Sequence, residues 1–462
     1  MKKKSVAKIM TMVLAVAMLT GCSSDGGTDS AGSGDAAAAD SASAGADGGA
    51  SESGKPYDGT TLKFWIQSYG NTPDIQRAAL DKVTADFKEL TGITVEYSIL
   101  DWSSANNKVM LACTGGEAPD VGDVFFTSSL VEMSSDEYGL MEINDVVEEM
   151  GGEDTWAPAG KDEACVGDDW YGIPWRYDVR VLLYNTEDFE NAGITKVPET
   201  WNELVEVAQK LTETDASGNV THAGLAWNTD MGRYDQVWFS MLAQAGGSMM
   251  NDDFSAFTFD SEEGRKSLKF LSDCLNEYGI CNTSGALDAS YSALTDFMSG
   301  NVSMYFGATP EMKQDIITNA PQMEGKFTSA PLPTATGNEN TSIAFSAPIA
   351  IYKTTEHPDA AKEWVKYFCS EDVQLYISQQ FGLLNANLNV MSNSYFKDDP
   401  WLSSYSEAAL RSQSGDMPIK TWSQLDAWPD GPIPTMCAKV ADGQDIDVAI
   451  AECMEKIEKI GY

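Results

Sequence analysis

Thr61-Leu62-Lys63-Phe64-Trp65-Ile66, then an amphipathic stretch from Ala79 to Leu90, then Thr94 to Ile99: the order of these three segments decides the fold class. The first is a short apolar run of strand type. The second repeats its apolar residues at helical spacing and is closed by Gly92, and the third alternates apolar with polar residues. Short apolar strands that alternate with amphipathic helices are the signature of α/β architecture.

The same alternation continues downstream. Asn107 to Cys113 reads as a helix, Gly115 to Asp120 as a turn and Val121 to Phe126 as a strand. Tyr171-Gly172-Ile173-Pro174 leads into the strand Val181-Leu182-Leu183-Tyr184-Asn185. Thr200 and Glu203 form a capping-box pattern behind Pro198, and Trp201, Leu204, Val205, Ala208 and Leu211 share one helical face. Further helices are expected at 261–276, 289–299, 358–368, 370–381 and 446–460, with strands at 302–306 and 342–352. No repeat of 20–50 residues is present.

At the N-terminus, Lys2, Lys3, Lys4 and Lys8 precede an apolar run from Ile9 to Leu19. A membrane span needs roughly 20 apolar residues, so this run is the apolar core of a secretory signal. Leu19-Thr20-Gly21-Cys22 resembles the bacterial lipobox, in which cleavage leaves Cys22 first and acylates its sulfur. Residues 1–21 are then the signal peptide, and the lipid is the only membrane attachment. Residues 22–56 are almost purely Ser, Gly, Ala and Asp up to Gly54. Such a segment cannot bury enough apolar surface to offset its ordering entropy. It is expected to act as a flexible tether with a reach on the order of 30–35 Å.

The body from about residue 57 is too long for one core and points to two domains. Thirty Lys and Arg stand against 70 Asp and Glu, a net charge of −40. Phosphate backbones need the opposite sign, which argues against nucleic-acid partners. Cysteines stand at 22, 113, 165, 274, 281, 369, 437 and 453, and the histidines are His222 and His357. No zinc-ligand spacing is present, and no metal or cofactor is expected. Cys274 and Cys281 could pair only if the helix between them ends at Gly279, because seven residues of continuous helix span about 10.5 Å. Asp215-Ala216-Ser217-Gly218-Asn219 lacks the full ligand set of a calcium loop and reads as a turn.

Several dispersed pieces stand in one order: Leu62-Lys63-Phe64-Trp65, Phe87-Lys88-Glu89-Leu90-Thr91-Gly92-Ile93, Ala118-Pro119-Asp120-Val121 and Tyr171-Gly172-Ile173-Pro174-Trp175 with Tyr184-Asn185. They continue through Pro198-Glu199-Thr200-Trp201, Phe297-Met298-Ser299-Gly300-Asn301-Val302-Ser303-Met304, Ala330-Pro331-Leu332-Pro333 and His357-Pro358-Asp359-Ala360-Ala361. With them the body resembles family 1 extracellular solute-binding proteins of the maltose-binding type. The resemblance implies an α/β, two-lobed periplasmic-binding-protein-like fold with a ligand cleft between lobes joined by hinge strands. By similarity the N-lobe is 57–174 plus 308–353 and the C-lobe 180–303 plus 356–462, with hinges near 174–180, 304–308 and 352–356. The implied partners are a sugar, held by hinge closure, and the transmembrane subunits of an ABC permease. The protein is expected to be a monomer on the outer face of the cell membrane. Many family members carry a tryptophan shortly after the strand that ends at Gly307. Here Ala308-Thr309-Pro310-Glu311 follows, so Glu311 is expected to offer a polar contact instead.

A sugar stacks its C–H faces on flat rings and offers hydroxyls to planar polar groups. Aromatics beside carboxylates at strand ends are therefore the candidates: Trp65, Tyr69, Trp102, Asp123, Phe126, Trp175, Tyr177, Asp178, Trp227, Asp230 and Glu311. Asp101, Asp120, Arg176 and Trp238 lie among them. Trp201 and Trp364 sit in helical apolar stripes and read as core. Trp422 and Trp428 lie in an irregular Pro- and Asp-containing segment, which leaves two readings open: core, or roof of the cleft. Two other functions compete with the sugar receptor. One is a binding protein for a cationic or other non-sugar solute, motivated by the many aspartates near strand ends. The other is a secreted glycan-degrading enzyme, which 70 carboxylates do not exclude but no catalytic pattern marks.

Overall fold

The computed structural model describes residues 55–69, 73–133, 137–227, 234–282, 292–337 and 342–461. The signal, Cys22, the tether and Asp230 lie outside the described residues.

The first sheet has seven strands. Leu384–Asn385, Ile173–Val179, Ser342–Ile351, Val121–Asp123, Thr61–Gln67 and Thr94–Leu100 are neighbours in that order, and Ser412–Ser414 pairs with Ser342–Ile351. Thr61–Gln67 runs parallel to Thr94–Leu100 and to Val121–Asp123, while Ser342–Ile351 is antiparallel to its neighbours on both sides. The helix Pro73–Thr91 links the first two parallel strands. It stops where Gly92 adopts φ +88 and donates its N–H to Lys88 O at 2.9 Å, a conformation a side chain would resist. The second sheet has four strands in the order Ala226–Trp227, Met304–Ala308, Val181–Asn185, Phe327–Ala330. The helix Trp201–Leu211 flanks the second sheet and begins with the expected reciprocal capping box of Thr200 and Glu203.

The chain changes sheet at one residue. Val179 pairs with Ala344 in the first sheet and Val181 with Ala308 in the second, leaving Arg180 between them. It returns between Ala330 and Ser342. This differs from the expected crossing at 304–308, because Phe327–Ala330 still pairs with Val181–Asn185. The expected crossing at 352–356 is not there either. Helices Pro358–Phe368 and Glu371–Phe381 stay on the first sheet, where Trp364 meets Phe64 and Phe87 with ring centroids 5.5 and 5.1 Å away. The apolar stripe of the first helix finds its partner rings there, whatever the sequence order suggests.

The second core collects Trp201, Trp227, Trp238, Phe259, Phe270 and Trp422, with the C-terminal helices Pro432–Ala441 and Ile446–Ile460. Trp201 stacks on Phe270 at 4.1 Å. Cys274 and Cys281 are both buried here as free thiols, and the intervening helix ends at Asn276, ahead of Gly279. Asp215 accepts N–H bonds from Ser217 and Asn219 and closes a surface turn. Among the described residues no helix is long and apolar enough to cross a membrane.

Trp364 is fully buried and meets four aromatic rings of the first core, Phe64, Phe87, Tyr367 and Phe368. Trp364→Ala is expected to cost about 3–5 kcal/mol, read as a lower urea midpoint with an unchanged slope.

Candidate functional site

Strand geometry builds the site from the crossing segment. Side chains two apart share a face. Arg176, Asp178 and Arg180 therefore point one way and Tyr177 and Val179 the other, while Trp175 sits where the register with Ser342–Ile351 shifts and packs into the first core. Phe345, the partner of Asp178 in the register, joins the first face. That face lines a cavity of about 720 Å³. One wall comes from the first sheet: Trp102, Asn106, Asn107 and Met110 of the helix Trp102–Gly115, with Phe125 and Phe126. The other comes from the second core: Gln236, Asp416, Gln424, Asp426 and Trp428. Thr309, Glu311 and Met312 close one side.

A buried ion triad forms the floor. Asp178 accepts from Arg176 Nη2 through one oxygen and from Arg180 Nη1 through the other. Burial pushes the Asp178 carboxyl up, but the guanidinium groups of Arg180 and Arg176 outweigh it and hold it below the usual carboxylate range. Glu311 is raised by burial and then by the charge of Asp178. Arg180 lies 5.4 Å from the Phe345 ring, and its Nη2 donates to Gln236 Oε1 at 3.4 Å.

Two contacts tie the walls together. Phe126 holds φ +56, a left-handed conformation that costs a side-chain-bearing residue roughly 1–2 kcal/mol. Its ring packs against the second core. Two residues into the helix Thr127–Met133, Ser129 Oγ donates to Lys420 O at 2.7 Å.

Of the residues expected from the sequence, the cavity brings together Trp102, Phe126, Asp178 and Glu311. Tyr69 and Asp123 stand one layer behind Trp102, joined by a bond from Tyr69 Oη to Asp123 Oδ2 of 2.7 Å. Trp65, Trp175, Tyr177 and Trp227 do not reach the cavity. Trp175 is 1 % exposed and packs edge-on to Tyr69 and Phe368. Tyr177 faces Ser412 Oγ across 3.2 Å. Trp65 is half-buried with Lys108 Nζ 4.2 Å above its ring. Trp227 lies in the second core. Trp238 donates to Ser267 Oγ, and Asp120 accepts the N–H of Lys63. Trp422 is core and donates to Asp416 Oδ1 at 2.8 Å, while Trp428 does line the cavity. Sequence reasoning missed Arg180, Asn106, Asn107, Gln236, Asp416 and Asp426. The parity of Trp175-Arg176-Tyr177-Asp178-Val179-Arg180 carried the signal for the arginines, since apolar and charged residues alternate perfectly.

A family model described as bacterial extracellular solute-binding protein matches residues 69–375. The chain is 25% identical over 340 residues to the diacetylchitobiose binding protein of Streptomyces coelicolor, covering 73% of this chain and 76% of that one. It is 26% identical over 304 residues to a probable amino-acid ABC transporter periplasmic-binding protein of Sinorhizobium fredii, covering 64% of this chain and 66% of that one. The chain thus spans about two thirds of the length of this second relative. Among solved structures it is similar to the sugar-binding protein MalE of Xanthomonas citri, with TM-score 0.73 and 20% identity over 87% of this chain and 97% of that one. It is also similar to a solute-binding protein of Thermotoga lettingae bound with alpha-D-tagatose, with TM-score 0.70 and 24% identity over 87% and 99%. At these identities the two structures show the fold.

Asp178→Asn removes the counter-charge from two buried guanidinium groups. The expected cost is about 3–5 kcal/mol at neutral pH. A lowered folded-state pKa stabilises above the unfolded value of about 4, and that stabilisation is lost as pH falls through the lower folded value. The stability gap between wild type and variant is therefore expected to narrow below about pH 4, measured by denaturant titration at a series of pH values.

Proposed function

Because this chain belongs to the bacterial extracellular solute-binding proteins, we propose that its cavity captures a sugar or short oligosaccharide and that the closed form hands it to an ABC permease. The observation that carries this reading concerns the tryptophans. Of the chain's twelve, only Trp102, at 46 %, and Trp428, at 38 %, are exposed, and both line this cavity, one on each wall. An exposed indole on each side of a cleft suits a ring with two apolar faces. The amides of Asn106, Asn107, Gln236 and Gln424 suit its hydroxyls, as donors and acceptors at once.

On this reading the hinge lies where the chain changes sheet, at Arg180 and between Ala330 and Ser342. Solute that touches both walls favours the closed form by the difference in its affinity for the two states. The bond from Ser129 to Lys420 and the contact of Phe126 with the second core belong to that closed form. Acylation of Cys22 holds the protein at the outer membrane face, and the permease subunits are its partners there. The family binds solutes rather than transforming them.

A second reading, a cationic or other non-sugar solute such as an amino acid, is favoured by Asp416 and Asp426 in the lining and by the Sinorhizobium relative. A thermal-shift panel of neutral saccharides, polyols and amino acids separates the two. Saturating saccharide at a hundred times its dissociation constant is expected to add about 2.7 kcal/mol of stability. Trp102→Ala and Trp428→Ala are each expected to weaken that binding roughly ten-fold, equivalent to about 1.4 kcal/mol. A panel in which only amino acids shift the transition refutes the sugar reading.

A further inference from the structure

Tyr69 and Asp123 touch no wall of the larger cavity, yet they stand directly behind two residues that do. Asp123 is 1 % exposed and accepts from Tyr69 Oη at 2.7 Å and from the Gln67 N–H at 3.1 Å. The Tyr69 ring meets Trp102 edge-on at 5.4 Å with planes at 83°, and Trp175 edge-on at 5.0 Å with planes at 81°. The Arg176 guanidinium lies 5.1 Å from the Tyr69 ring and 5.7 Å from the Trp102 ring. Trp102 and Arg176 are the two of this group that line the cavity.

Arg176 is 6 % exposed, and its Nε–H finds no acceptor among the described residues. A buried donor left unsatisfied is costly, and an acceptor oxygen of a solute in the cavity can satisfy it. The direction of that N–H is set by Asp178 on one side and by the Tyr69 ring on the other.

We infer that the Tyr69–Asp123 pair is the positioning element of the cleft: its hydrogen bond fixes the Tyr69 ring, and the ring fixes Trp102 and Arg176 in the geometry that meets a solute. The effect on affinity rests on the reading of the cavity as the solute site. The positioning itself is a property of the solute-free protein.

The pair is also sensitive to protons. Burial pushes Asp123 up to about 7, against the bonds from Tyr69 and Gln67 and the charge of Arg176. The groups that face it are Gln67 at the end of the first strand, Tyr69 two residues beyond it, Arg176 from the crossing strand and Tyr352 just after Ser342–Ile351. Lys108, on the neighbouring helix, is turned to Trp65 instead. As a carboxylate, Asp123 takes the Tyr69 O–H in a charge-assisted bond. Once protonated it is a weaker acceptor, and the hold on the Tyr69 ring loosens.

The test uses fluorotryptophan-labelled, solute-free protein. The fluorine resonance of Trp102, assigned with Trp102→Phe, and the proton–nitrogen resonance of Arg176 Nε, assigned with Arg176→Lys, are followed from about pH 5.5 to about 8.5. In wild type both resonances are expected to titrate together with a midpoint near 7. In Tyr69→Phe both are displaced and the titration is lost. Asp123→Asn gives the same loss with the ring and its hydroxyl intact, so a folding defect in one variant leaves the other to decide. Variant resonances that coincide with wild type at every pH overturn the inference. Failure of the saccharide panel leaves these readouts intact, so the two failures are separable.

Discussion

The alternation of side chains along Ile173–Val179 and into Arg180 is the constraint on which the rest of the molecule depends. One strand has to serve three purposes. It is buried along its whole length, it pairs with Leu384–Asn385 and Ser342–Ile351, and it delivers the chain to the second sheet one residue later. Its apolar residues anchor two cores, Trp175 one and Tyr177 with Val179 another. Its charged parity, Arg176, Asp178 and Arg180, can be buried only because the carboxylate is shared between both arginines. Removing Asp178 leaves two like guanidinium charges uncompensated in a low-dielectric setting. The floor of the cavity is therefore tied together by ion pairs that the crossing strand itself supplies.

Much of the fold was legible because its signals are local. The strand–helix–strand opening, the capping box at Thr200 and the glycine stop at Gly92 each involve residues within a few positions of one another. The lobe boundaries were not legible for the opposite reason. Whether Pro358–Phe368 packs on the first sheet depends on Trp364 meeting Phe64, 300 positions away, and no local pattern carries that. The short strand Phe327–Ala330 was equally silent, because four residues with mixed burial show no period.

The site was half legible. Aromatic and acidic residue types pointed to the right neighbourhoods, and Trp102, Phe126, Asp178 and Glu311 do meet at one cavity. Residue type alone could not separate the two faces of a strand, which is why Trp175 and Tyr177 were expected beside Asp178. Parity separates them at no further cost. Asp416 and Asp426 were beyond reach in a different way, since they lie in an irregular segment whose path is set by Trp422, buried in the second core and donating to Asp416.

This division has a consequence for how such a cleft holds its solute. The two exposed indoles are carried by different walls, so neither alone encloses a ring, and in the proposed hinge motion the distance between them changes. The amides follow the same division, with Asn106 and Asn107 on one wall and Gln236 and Gln424 on the other. Arg176, Asp178 and Arg180 lie between the two walls, on the strand that crosses from one sheet to the other. On the proposed reading a solute meets the polar floor first and gains its second stacking surface on closure, and that gain is the differential affinity a hinge needs. The left-handed backbone at Phe126 fits this scheme: strain of roughly 1–2 kcal/mol is offset in the form where the ring reaches the second core. On the proposed hinge reading, opening gives up that packing and releases the Phe126 strain together, so the two partly cancel in the balance between the forms.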